Sequence, residues 1–188
     1  MHQTLHPAPF YYIRHGQTDW NIIHRMQGHT DVPLNETGIA QAHSAAETIR
    51  NIDITTICSS PLSRALETAK ILQKACGAKL EILEELKECC FGEHEGQLGH
   101  DWLSDWEEGH FTPKGAESYR DFIARSTAAI NQALTRPGPV LIVAHGGIYW
   151  AVMEHAGYEK GATLPNCTLV QNIPPSQDKP VWQQKFIP

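Results

Sequence analysis

The residues Val140-Leu141-Ile142-Val143 are apolar without a break, and Pro137-Gly138-Pro139 cuts them off from what precedes. So short a run, rich in β-branched side chains and bounded by turn residues, reads as a strand with no face for water. Strands covered on both faces belong to parallel sheets flanked by helices. Phe10 to Ile13 and the β-branched stretch Asp53 to Cys58 repeat the pattern, and Lys79 to Leu83, Thr168 to Ile173 and Val181 to Ile187 add shorter candidates. Between them lie helical periodicities: Ile39, Ala42, Ala46 and Ile49, then Leu62, Ala65, Leu66, Ala69 and Leu72, then apolar positions across Glu117 to Leu134. Ser60 suits the N-cap of the second of these helices, with Pro61 in its first turn, and Gly77 and Gly157 suit helix stops. The alternation predicts an α/β fold, a three-layer α/β/α sandwich with a mostly parallel central sheet.

Residues 1–8 read as a loose lead-in, and Glu84 to Lys114 as an irregular excursion over the sheet. No repeat or linker interrupts the chain, so residues 1–188 are expected to form one domain, a length that supports a sizeable core.

Three strand-like runs end in groups suited to an anion. Ile13 runs into Arg14-His15, Cys58 into a loop leading to Arg64, and Val143 into Ala144-His145. In open α/β sheets ligands gather at the carboxyl ends of strands. The reading is that His15 is a nucleophile for a phosphoryl group and that Arg14 helps hold it.

Fifteen Lys and Arg against 21 Asp and Glu leave a formal charge of −6, which argues against a general nucleic-acid or anionic-membrane binder. A local pocket can still be positive. No signal-like leader or membrane-length apolar run is present, and five cysteines without a Cys-x-x-Cys pair argue for a reducing, cytoplasmic setting. The eleven histidines show no metal-ligand spacing, so no metal is expected. His24, His29, His94, His100, His110 and His155 are read as surface or packing residues, and Cys89 and Cys90 as packing residues. Trp102, Trp106, Phe111 and Tyr119 suit either a hydrophobic substrate roof or a cover for the core.

Arg14-His15-Gly16-Gln17-Thr18 with Trp20-Asn21, then Arg25-Met26-Gln27-Gly28, form a first block, and Ser59-Ser60-Pro61-Leu62-Ser63-Arg64-Ala65-Leu66-Glu67-Thr68-Ala69 a second. Leu86-Lys87-Glu88 with Phe91-Gly92, Gly115-Ala116-Glu117-Ser118, and Val143-Ala144-His145-Gly146-Gly147 follow in order. The set resembles the histidine phosphatase superfamily, also called phosphoglycerate mutase-like. The resemblance implies that His15 becomes phosphohistidine, that Arg14, Arg64 and His145 surround the phosphoryl oxygens, and that Asn21, Gln27, Gly28 and Gly146 complete the phosphate site. It makes Glu88 the acid that protonates the leaving alkoxide and the base that then activates water. It implies no cofactor, and a substrate that is a small phosphorylated metabolite, with specificity carried by a variable lid segment at about 92–114. Gln17 stands where mutase members commonly carry glutamate, and the chain is shorter than they usually are, so a phosphatase is expected ahead of a phosphoglycerate mutase. A non-catalytic phospho-ligand module ranks behind both. An exposed strand edge could support a homodimer.

Overall fold

A computed structural model describes residues 4–157 and 163–188. The chain opens with β1 (Phe10–Arg14), a single turn of helix α1 (Asp19–Ile22) and α2 (Glu36–Ile49). Next come β2 (Thr56–Ser59), α3 (Ser63–Cys76) and β3 (Lys79–Ile82). The stretch before α5 (Tyr119–Ala133) holds two 3₁₀ turns and the short helix α4 (Leu103–Glu107). It ends with β4 (Val140–Ala144), α6 (Gly146–Ala156), β5 (Leu169–Ile173) and β6 (Gln183–Ile187).

The six strands form one sheet in the order β3-β2-β4-β1-β5-β6. The β3-β2-β4-β1 portion is parallel, and β5 and β6 add antiparallel beyond β1. All of β4 is buried, as its composition requires. Successive side chains of a strand point to opposite faces. Phe10, Tyr12, Cys58 and Ile142 therefore pack with α5 and α6, while Ile13, Ile57, Leu141 and Val143 pack with α2 and α3. These two cores on one sheet make the three-layer sandwich.

Local chemistry sets the helix ends. Asn35 caps α2 by accepting from Gly38 N at 2.8 Å, and Ser118 caps α5 by accepting from Asp121 N at 3.1 Å. Gly77 closes α3 at φ +70°, in the left-handed region that favours glycine.

Three expectations need correction. Ser60 does not cap α3: the helix starts at Ser63 with Leu62 at the N-cap and no side-chain cap. The lead-in is not loose where Leu5 packs into the core and Asn131 binds it from both sides, through Thr4 O and His6 N. The Glu84–Lys114 excursion is partly core, because Trp106 is fully buried with its indole N–H donated to Glu117 O at 2.9 Å. No helix among the described residues is long and apolar enough to cross a membrane.

Candidate active site

The carboxyl ends of β1, β2 and β4 lie side by side because β4 pairs in parallel with both neighbours, placing Val143 opposite Ile13 and Ser59. Each strand delivers one piece of a site. His15 leaves β1 with its amide bonded to Ala144 O at 3.0 Å, and its Nδ1 lies 2.7 Å from its neighbour's carbonyl, Gly16 O. A carbonyl only accepts, so Nδ1 carries the proton and Nε2 keeps a free lone pair. His15 is buried, and its imidazole is held well below the usual histidine range by burial first and by the Arg64 and Arg14 charges second. It is therefore a neutral imidazole with a nucleophilic nitrogen.

His145 follows β4 and is fully buried, its ring 5.2 Å from that of His15. Its Nε2 lies 2.8 Å from Ser60 Oγ, and its Nδ1 is buried without a hydrogen-bond partner. Ser60, expected as a cap, instead orients this histidine. Ser60 Oγ accepts from Leu62 N at 3.3 Å and keeps a hydrogen that Nε2 can accept, the arrangement that goes with the imidazole proton on Nδ1. Burial, then Arg64, hold His145 too well below the ordinary range.

Arg64, in the first turn of α3, is completely buried. Its Nη2 donates to Gly28 O at 2.9 Å and its Nη1 to Thr30 O at 3.0 Å, while Nε has no partner. Gly28 adopts φ +53°, and a Cβ there would strike the Glu95 carboxylate, so only glycine presents this carbonyl to Arg64. Burial pulls Arg64 down to about 10, still cationic at neutral pH. Arg14 donates to Leu164 O at 2.9 Å and also has a buried, unpartnered Nε. Neither arginine has a carboxylate within salt-bridge distance among the described residues. Glu88 attracts both cations without touching either, so desolvating them is costly and an anion arriving between them is favoured.

Glu88 comes from the loop after the first 3₁₀ turn. Its Oε1 accepts from Cys89 N and its Oε2 from Gly147 N, each at 3.0 Å. A Cβ on Gly147 would collide with the Glu88 carboxylate and crowd Phe122, so the first turn of α6 requires glycine to let the acid approach. Thr18 caps α1 and Asn21 completes the capping box, its Oδ1 accepting from Thr18 N at 3.0 Å and Thr18 Oγ1 at 3.1 Å, which leaves its amide hydrogens for the cavity it lines. Asn166 ties the far end of the chain in, donating to His15 O at 2.8 Å, and Cys167 N donates to Arg14 O at 2.9 Å.

These groups surround a cavity of about 450 Å³. Arg14, His15, Asn21, Gln27, Gly28, Arg64, Glu88 and Gly146 all line it, and fully buried His145, its ring 5.2 Å from that of His15, is not part of the lining. The residues nominated from sequence therefore come together. Others were missed. Trp20, Phe91, Leu103 and Trp150 form the apolar wall, whereas Trp102, Trp106, Phe111 and Tyr119 are absent from the lining. Trp106 is the hub of an aromatic cluster with Phe91, Trp102 and Tyr119, so these rings cover the core and are not a roof. His24 and His100, read as surface or packing residues, both line the cavity, and the His100 ring bonds His24 O at 2.7 Å. Arg25 lines it as well, its guanidinium 5.4 Å above the Trp20 ring and its Nε unpartnered. From the 92–114 segment His100, Leu103 and Glu107 reach the lining. Cys89 is buried, and burial next to Glu88 pushes its thiol far up, which fits packing. No group of three His, Cys, Asp or Glu among the described residues is placed to hold a metal ion.

A family model for the histidine phosphatase superfamily (branch 1) matches residues 10–173. The chain belongs to the histidine phosphatase superfamily. Among curated relatives, "Probable phosphoglycerate mutase GpmB" of Yersinia pestis (strain Pestoides F) is 35% identical over 176 residues, covering 85% of this chain and 81% of that protein. Among solved structures, mycobacterial glucosyl-3-phosphoglycerate phosphatase in complex with VO3 superposes with a TM-score of 0.77 at 28% identity, covering 95% and 96% of the two chains. Phosphoserine phosphatase from Entamoeba histolytica, at 24% identity and a TM-score of 0.78, covers 96% of each chain and shares the fold. The superfamily thus joins phosphatases and phosphoglycerate mutase-like proteins, and the mostly parallel α/β sheet of this chain is the one its structural neighbours have.

The two buried histidines of this histidine phosphatase have a consequence for stability. Their protonation is suppressed in the folded chain and normal in the unfolded one, so below about pH 6.5 the unfolded state binds more protons. Stability is then expected to fall as pH drops, with a slope approaching about 1.4 kcal/mol per pH unit for each histidine. Glu117, held below 4.5, loses its contribution only at lower pH, so the window from 6.5 to 5 belongs to the histidines. Urea midpoints at pH 7 and pH 5 check this; an unchanged midpoint would show that the imidazoles are not buried as neutral groups.

Proposed function

We propose that the protein hydrolyses small phosphomonoesters through a phosphohistidine on His15. The observation that carries this reading is the pair of arginines, Arg64 fully buried and Arg14 partly so, without a salt bridge to any carboxylate among the described residues and facing the same cavity as the lone pair of a neutral His15. A phosphoryl group restores charge balance there, and guanidinium forks match its oxygens. In the first step His15 Nε2 bonds to phosphorus as the ester P–O bond breaks, and Glu88 gives its proton to the departing alkoxide. In the second, Glu88 takes a proton from water, the resulting hydroxide attacks phosphorus, and the P–N bond breaks to release phosphate. His145, with its proton on Nδ1, and the arginines stabilise charge on the transferred oxygens. Every step uses side chains of this chain, and the reading calls for no cofactor or metal. The substrate is a small metabolite rather than a nucleic acid, in keeping with the net negative charge, and free cysteines throughout the described residues favour a cytoplasmic setting.

The apolar wall of Trp20 and Trp150, with Arg25 beside it, leaves room for an alcohol with both apolar and charged parts. The identity to the Yersinia relative favours a second reading, phosphoglycerate mutase activity. One experiment separates the two. 3-Phosphoglycerate is supplied with and without 2,3-bisphosphoglycerate, and phosphate release and isomerisation are followed together with release from a panel of phosphorylated metabolites. Bisphosphate-independent phosphate release from some panel members, without isomerisation, is the expected result. Robust isomerisation that requires the bisphosphate would reverse the order.

A further inference from the structure

Glu88 stands in a stretch with no helix or strand of its own, between the 3₁₀ turns Glu84–Leu86 and Gly92–His94. Regular hydrogen bonding therefore does not fix its backbone. The structure supplies another device, and none of it lines the cavity. Arg125, on α5, donates Nε to Glu117 Oε1 at 2.7 Å and Nη2 to Glu117 Oε2 at 2.7 Å. Its Nη1 donates to Glu85 O at 2.7 Å and Lys87 O at 2.9 Å, and its Nη2 to Glu88 O at 3.2 Å. A guanidinium has five N–H donors, and these five bonds use them all. Glu117 completes the grip by accepting from Cys90 N at 2.9 Å. The pair thus holds the main chain before, at and after Glu88. The His29 ring, 2.8 Å from Glu88 O, adds a contact from the opposite segment.

The two side chains are only 18% and 23% exposed. Burial works against both charges, yet their mutual hydrogen bonds keep Glu117 below and Arg125 above their ordinary values. A fully ionised pair this well satisfied is rigid, and rigidity is what an acid on an irregular loop lacks.

We propose that Arg125, braced by Glu117, is a positioning residue that aims the Glu88 carboxyl at the leaving oxygen of the substrate. This rests on the reading of Glu88 as general acid. The readout is the identity of the leaving group. A nitrophenolate departs with little protonation, whereas an alkoxide needs the acid. Lysine keeps the charge of Arg125 but offers three donors without a planar fork, so Arg125→Lys cannot rebuild the five bonds.

The test measures kcat/KM for 4-nitrophenyl phosphate and for glycerol 1-phosphate in wild type, Arg125→Lys, Glu117→Gln, Glu88→Gln and the Arg125→Lys/Glu88→Gln double variant. Arg125→Lys is expected to depress the alkyl ester at least about tenfold more than the aryl ester, within the range general acid catalysis supplies. Glu117→Gln should shift the same ratio in the same direction, which provides the answer if the lysine variant does not fold. In the Glu88→Gln background Arg125→Lys should cost less than about twofold, because residues acting as a unit are non-additive. Equal losses on both esters, or losses that multiply in the double variant, would overturn the positioning role. In that case a His15→Ala protein that is inactive leaves the phosphohistidine reading standing. A Glu88→Gln protein that does not separate the esters brings down both.

Discussion

Replacing His15 by alanine is expected to reduce phosphatase turnover by about 10⁴-fold or more, since removal of a covalent nucleophile ranks among the largest single-residue effects in catalysis. The substitution leaves the arginines and Glu88 in place, so substrate can still bind while the bond-forming atom is gone. The nearest imidazole cannot take over without rearrangement. His145 Nε2 is engaged by Ser60, and its ring centre lies 5.2 Å from that of His15, so it does not occupy the position His15 vacates. Initial rates with an aryl phosphate, paired with an alkaline quench that preserves the P–N bond, measure both losses at once. Residual turnover above about 1% of wild type, with label still bound to protein, would move the nucleophile to His145.

Arg64→Ala is the second large effect. Its guanidinium is the most deeply buried cation of the site, and a preorganised donor to a developing oxyanion contributes about 10²–10³-fold in rate. The variant should lose at least that much kcat/KM, together with most of its affinity for inorganic phosphate as a competitive inhibitor. Collapse of the loop that Arg64 touches is not expected to be the cause. His29 and Thr30 are held independently by Glu95, which accepts from His29 N and Thr30 N, each at 2.9 Å, and from Thr30 Oγ1 at 2.7 Å. Competitive inhibition by phosphate, measured beside kcat/KM, checks the prediction. Unchanged inhibition would mean that Arg14 and His145 hold the anion by themselves.

The groups legible in the sequence were those fixed by local pattern. A buried parallel strand forces its next residue out at the sheet edge, so Arg14, His15 and His145 could be placed from apolar runs alone. Arg64 could be placed because it begins an amphipathic helix just after such a strand. What closes the cavity was not legible, because it is assembled across segments. Trp150 belongs to α6, Trp20 to α1 and His100 to an irregular stretch, and no period relates them. Ser60 shows how local pattern misleads. Ser-Pro before an apolar stripe has the chemistry of a cap, but the helix starts three residues later and the hydroxyl serves His145. Trp102 and Trp106 were ambiguous for a related reason. Whether an aromatic ring meets core or ligand depends on which rings surround it, and that is a tertiary property. Arg125 and Glu117 were invisible as a pair because their partners are backbone carbonyls and an amide, which carry no residue identity.

The bonds from Leu164, Asn166 and Cys167 to Arg14 and His15 join positions about 150 residues apart in the chain. They also set an order of events during synthesis. His15 leaves the ribosome about 150 residues ahead of the strap that holds its carbonyl. A nascent chain carrying all of β1 through α6 would possess His15, both arginines, Glu88 and His145, yet lack the clasp that shapes them into a cradle. Chains grow at about 5–20 residues per second, so seconds separate the appearance of the chemistry from its assembly. During that interval the histidine is exposed and unaimed, and competence arrives late, with β5 taking its place beside β1.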